Sequence, residues 1–162
     1  MNLKKIVFTK VPPSISKTNR RFFDRHVRRA FVQYVAYVGL FDGVLTEEEI
    51  ENAKDGILPK YLDVHHIVPL SGSTSLDINA FTNLTILHKS THTYINRKIF
   101  EPQLKDLPEG KSREIYIPEF AMVDADRIIA IKAGKSKEQF RIEQQFLIEQ
   151  QLQNMRRYKG RM

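Results

Sequence analysis

The segment Leu62-Asp63-Val64-His65-His66-Ile67-Val68-Pro69-Leu70 leads through Ser71-Gly72-Ser73-Thr74-Ser75 to Phe81-Thr82-Asn83-Leu84-Thr85-Ile86-Leu87-His88-Lys89-Ser90-Thr91-His92-Thr93-Tyr94-Ile95-Asn96. Leu62 to Val68 is a short apolar run stopped by a proline and predicts a strand. The Ser/Gly/Thr segment reads as a polar loop. Leu84 to Leu87 predicts a second short strand, and Lys89 or Ser90 to about Phe100 predicts a helix.

On the N-terminal side, Asn2 to Lys10 reads as a strand or as an extended arm. Val11-Pro12-Pro13 breaks regular structure because neither proline donates an N–H. Ser14 or Ser16 then caps a long helix to about Val38, with Phe22, Phe23, Val27, Ala30, Phe31, Tyr34, Val35 and Val38 at spacings of three and four. Lys17, Arg21, Arg25 and Arg28 form a separate basic stripe on it. Gly39 to Gly43 reads as a turn. Thr46-Glu47-Glu48-Glu49 is a capping box that opens a short helix ending near Asp55-Gly56. On the C-terminal side, Glu101 to Pro118 carries three prolines and Gly110 and reads as loop, with one extended piece at Glu114 to Ile117. Ser136-Lys137-Glu138-Gln139 is a second capping box, opening a terminal helix with Phe140, Ile142, Phe146, Leu147, Ile148, Leu152 and Met155. The expected fold is therefore α+β and mostly helical. It divides into a basic helical region at 1–57, a strand–strand–helix core at 58–100 and a C-terminal extension at 101–162, packed as one unit.

The composition excludes several function classes. With 162 residues, 41% hydrophobic and 28% charged, the chain can bury a core, and disorder as a whole-chain state is excluded. No apolar run approaches the roughly 18 residues of a membrane span. The apolar stretch Ile6 to Phe8 is too short for the core of a signal peptide, and the chain is expected in the cytoplasm. The absence of cysteine removes disulfides, cysteine nucleophiles and thiolate metal sites. Any metal must be held by His, Asp, Glu or Asn.

Net charge is +7 and segregated. Residues 1–35 hold nine Lys/Arg against one acid, residues 36–151 thirteen against eighteen, and residues 152–162 four against none. Such segregation suits a polyanion, since Lys and Arg displace its condensed counterions. A solvated helix face is the plain competing explanation for the basic stripe.

The histidines carry the chemistry. Four of five, His65, His66, His88 and His92, fall within 28 residues. Adjacent histidines on a strand send their rings in different directions, so one can hold a metal while the other addresses water or substrate. His92 and Asn96 are four apart and share a helix face. A strand His with such a His/Asn pair makes three ligands and leaves open positions on a divalent ion, the mark of a catalytic site. Asn83, just before the second strand, can bond backbone groups and fix the loop. Any one of these histidines alone reads as an ordinary hydrogen-bonded residue; the ordered set does not.

Residues 58–100, about a quarter of the chain, resemble the HNH nuclease motif of the ββα-metal fold. The ordered match is His-His-Ile-x-Pro-Leu, then Asn-Leu-x-x-Leu, then a His nine residues after the Asn, then an Asn four later. The resemblance implies His66 as general base, His65, His92 and Asn96 as metal ligands, Asn83 as the middle structural position, and Asp63 as a neighbour that orients a histidine. The paired-His form is similar to colicin-type DNases. The Cys-x-x-Cys-His segment of many relatives is missing, its cysteine positions being His88 and Thr91, so no structural zinc is expected and the role of His88 stays open.

The implied activity is metal-dependent hydrolysis of DNA phosphodiester bonds, by nicking or double-strand cleavage, leaving 3′-hydroxyl and 5′-phosphate ends. One divalent ion is expected, Mg²⁺ or Mn²⁺ for activity, with Zn²⁺ or Ni²⁺ also suited to the donors. Lys89, Arg97, Lys98, Arg21, Arg25 and Arg28 are expected to hold backbone phosphates of a duplex, which positions DNA without reading sequence. The setting expected is a phage or mobile element; an inhibitor protein belongs only to a toxin. Alternatives are a nucleic-acid-binding protein with an inactive HNH site, or RNA cleavage through the same site. The terminal helix offers a face for a homodimer, though packing on its own domain fits its apolar stripe better.

Overall fold

The prolines at 12 and 13 set the first boundary. In the computed structural model, which describes residues 2–73, 77–135, 147–153 and 155–156, a strand precedes them and a helix follows. Strand β1 (Leu3–Lys10) pairs antiparallel with β5 (Ser112–Pro118) along one edge and with the two-residue β3 (Gly72–Ser73) at its end. Asn2 to Lys10 is thus no free arm: β1 is the centre of a three-stranded sheet, order β3-β1-β5.

Helices α1 (Pro13–Phe22) and α2 (Arg28–Tyr37) form the long N-terminal helix, joined by a π-helical turn at Phe23–Val27. Across it the Arg28 N–H reaches the Phe23 carbonyl, five residues back. The sequence contains the reason. Phe23, Val27, Phe31 and Val35 are buried and recur every four residues, with Val32 and Ala36 buried beside the last two. At 3.6 residues per turn a strict four-residue repeat drifts around the axis; one wider turn absorbs the drift and keeps Phe23 inward. Phe22, Ala30, Tyr34 and Val38, counted in the apolar repeat, are left on the exposed side.

Helix α3 (Glu47–Lys54) opens with the expected capping box: the Glu49 N–H donates to Thr46 Oγ1 at 3.2 Å and the Thr46 N–H to Glu49 Oε1 at 3.0 Å. Gly56, at φ 83°, adopts the left-handed conformation that ends it. Then β2 (Leu62–His66) pairs antiparallel with β4 (Leu84–His88), with His65 opposite Thr85 and His66 opposite Leu84. Strand β2 stops two residues before the expected end, because the backbones of Ile67 and Val68 turn to bond Asn83 instead. Helix α4 (Lys89–Ile95) follows β4 directly and continues through a second π turn, Asn96–Phe100, into α5 (Glu101–Leu104). Part of the stretch expected as loop is therefore helical. Pro102 lies just past that π turn, in the first turn of α5.

The extended piece expected at Glu114 to Ile117 is the longer β5. Helix α6 (Ala125–Lys132) has no counterpart in the sequence reading. The segment before it runs beside β4: the Ile86 N–H donates to the Met122 carbonyl and the Asp124 N–H to the Ile86 carbonyl. The capping box at Ser136–Gln139, with Phe140, Ile142 and Phe146, lies outside the described residues, as do Arg157, Lys159 and Arg161. Residues 147–153 are helical, with Ile148 buried against its own chain.

The β2–β4 hairpin is the middle layer between two cores. Leu62, Val64, Leu84 and Ile86 pack with Phe23, Phe31, Val35 and Ile128. Leu87 belongs to the other cluster, with Phe8, Ile95, Ile99, Ile115 and Ile148. Among the described residues no helix is long and apolar enough to cross a membrane.

Candidate functional site

Strand alternation sets the site. Leu62, Val64 and His66 share one face of β2; Asp63 and His65 share the other. The contacts follow this division. The His66 ring meets Phe23 edge-on, with centroids 4.5 Å apart. The His65 ring meets His92 of α4 edge-on at 4.9 Å, stacks on Phe100 at 5.9 Å and meets the Phe120 ring at 6.1 Å. The adjacent histidines thus address opposite sides of the hairpin, one facing the N-terminal helix and one facing α4. Each is braced by an aromatic residue from a π turn, Phe23 or Phe100.

On the α4 side, His65 is 3% exposed and its Nε2 is buried with no hydrogen-bond partner among the described residues. Burial first, then the His92 and His66 rings, lowers its pKa from 6.5 to about 3, so the imidazole is neutral. An orphaned buried ring nitrogen costs about 1–3 kcal/mol, and such atoms are rare unless something else binds there. Beside it, His92 donates Nδ1–H to Asp63 Oδ2 at 3.1 Å. A carboxylate can only accept, so the hydrogen is on Nδ1 and Nε2 is the position left for a lone pair. A carboxylate-oriented histidine next to one whose ring nitrogen lacks a partner supplies two donors that could hold a metal ion. Asn96 is exposed one turn beyond His92, its N–H bonded to the His92 carbonyl, so the two share a face. Among the described residues no three His, Asp or Glu side chains form a cage. The set expected from the sequence has two such side chains, His65 and His92, with Asn96 as its third member.

On the opposite side, His66 is 6% exposed. Burial is the main cause lowering its pKa to about 4; the bond to Asn79 opposes it, and the Arg20 charge adds to it. Its Nε2 lies 2.9 Å from Asn79 Oδ1. Arg20 spreads over the Phe23 ring at 5.7 Å from its centroid. The basic helix expected to hold backbone phosphates therefore packs, through Phe23, against His66 itself.

Asn83 fixes the loop, as its position suggested. Its Oδ1 accepts the Val68 N–H at 2.8 Å, and its Nδ2 donates to the carbonyls of Val68 at 3.1 Å and Ile78 at 2.8 Å. His88 caps α4: its Nδ1 accepts the Ser90 N–H at 3.1 Å and lies 2.8 Å from Ser90 Oγ, while its ring stacks with Tyr61. It stands apart from the His65–His92 pair because it ends β4 as α4 begins. Lys89, Arg97, Lys98, Arg21 and Arg25 are exposed and Arg28 is half-buried.

The sequence reading passed over Asn79, Phe23, Phe100 and Phe120 as site residues. Asn79 meets His66 across 13 residues and Asn19 across 60, separations that no local pattern encodes. The four-residue apolar repeat was the one available signal for Phe23. No protein-family model, no curated protein and no solved structure matches the chain.

Proposed function

We propose that the protein is a metal-dependent endonuclease of HNH type that hydrolyses phosphodiester bonds of duplex DNA inside a bacterial or phage-infected cell. The observation that carries this reading is the sealed, unpartnered Nε2 of His65 beside a His92 whose other nitrogen is tied to Asp63. His65, His92 and Asn96 would hold one divalent ion, Mg²⁺ or Mn²⁺ in turnover, with Zn²⁺ and Ni²⁺ suited to the same donors. When bound, such an ion supplies positive charge for a phosphate oxygen and the leaving 3′ oxygen.

The remaining steps belong to the chain's own residues. His66, neutral at physiological pH, takes a proton from the attacking water. A phosphate arriving beside it raises its basicity, because a nearby negative charge favours the imidazolium. Arg20 adds positive charge on the same side. Asn83 holds the loop after His66 in place. Lys89, Arg97, Lys98, Arg21, Arg25 and Arg28 bind backbone phosphates by charge and so orient the duplex without selecting sequence. The products are 3′-hydroxyl and 5′-phosphate ends.

The test is supercoiled plasmid incubated with chelator-stripped protein and Mg²⁺, Mn²⁺, Ni²⁺ or Zn²⁺ in turn, beside His66→Ala. Nicking that requires metal and falls by about 10²–10⁴ in the variant supports the reading. Plasmid left intact with every metal, yet retarded in a gel, sinks it in favour of a binding protein.

A further inference from the structure

We infer that Asn79 is a positioning residue of this site: its side-chain oxygen holds the proton of His66 on Nε2 and so presents Nδ1 to the reacting water. The inference rests on the reading of His66 as base and extends it to a residue outside the motif.

One side-chain hydrogen bond, to α1, determines how the Asn79 amide is turned. The side chain is buried, and its backbone N–H donates to Asp77 Oδ1 at 3.0 Å. Its Nδ2 donates to the Asn19 carbonyl of α1 at 3.2 Å. The opposite amide orientation would set Oδ1 against that carbonyl, two acceptors facing each other, so the oxygen faces His66. An amide oxygen only accepts. The Nε2 atom 2.9 Å away must therefore carry the hydrogen. A neutral imidazole has one N–H, which leaves the lone pair on Nδ1. Phe23, edge-on to the same ring, limits its rotation. Asn79 thus has two separable duties, accepting from His66 and donating to α1.

Nitrogen-15 NMR of the full chain at neutral pH, with plasmid cleavage measured on the same samples, tests this. The wild-type spectrum should contain an exchange-protected ring proton on His66 Nε2. Asn79→Ala should lose that proton and lower kcat about 10-fold or more, within the range for residues that orient a reacting group, with KM for plasmid unchanged. Asn79→Asp keeps an acceptor for His66 and loses the donor to Asn19, so it should retain the ring proton and most of kcat. A purely structural bridge to α1 would fail equally in both variants, and that result overturns the inference. So does a wild-type proton found on Nδ1 in a protein that cleaves. A protein that holds the proton on Nε2 but leaves the plasmid intact with Mg²⁺, Mn²⁺, Ni²⁺ and Zn²⁺ alike overturns the nuclease reading instead.

Discussion

Asn83 shows how much one buried amide can hold. It satisfies a donor at Val68 and two acceptors at Val68 and Ile78 across the turn that follows His66. Asn83→Ala strands all three groups, at about 1–3 kcal/mol each, so urea denaturation should register a loss of at least about 3 kcal/mol. Asn83→Asp is similar in size but cannot donate to the two carbonyls, and it should lose nearly as much. The buried histidines set an acid limit at the same scale. His65 and His66 titrate at about 3 and about 4 in the fold, against 6.5 ordinarily. The unfolded chain binds the extra protons, so this stability is complete above about pH 6.5 and is lost as pH falls toward 4 and then 3, by up to about 1.4 kcal/mol per pH unit for each ring. Melting in chelator across that window should give a steeper decline for wild type than for His66→Gln. Parallel curves would refute the assignment.

Among the elements, the two π turns do the most to arrange the site. An α-helix running straight through Phe23–Val27 would rotate α1 away from His66, and one through Asn96–Phe100 would shift Phe100 away from His65. Only the first turn left a trace in the sequence, as the four-residue apolar repeat. Helix α3 lies at the other extreme, since its start is fully local. Thr46→Ala should lower the melting free energy by about 1 kcal/mol, a typical N-cap loss. Glu49→Ala should cost more, because Glu49 also accepts from the Tyr61 hydroxyl at 2.7 Å. Equal losses in the two melts would exclude that second role.

At the scale of the molecule, charge and site converge. The most basic part of the sequence, residues 1–35, contains the helix that packs on His66, so its positive field lies beside the candidate chemistry. Binding to a duplex should weaken steeply with salt, with log K falling by about 0.9 per phosphate neutralised for each unit of log salt. Arg97→Ala with Lys98→Ala should flatten that slope by about 1.8, as read by fluorescence anisotropy from about 50 to 200 mM salt. An unchanged slope would remove those two side chains from the interface.

The sequence by itself determined whatever depends on neighbours in the chain. That includes the break at Pro12-Pro13, the capping box at Thr46, the two short strands, the opposite facing of His65 and His66, and the shared face of His92 and Asn96. Each follows from backbone geometry acting over a few residues. The tertiary structure alone decided what meets across distance. It made β1 a central strand, laid Phe23 against His66 with Arg20 over the Phe23 ring, brought Asn79 to the His66 ring, chose His92 as the histidine that Asp63 meets and added α6 against the hairpin. Those contacts come from burying two apolar faces of one thin hairpin at once, and no local pattern specifies which distant residues will cover each face.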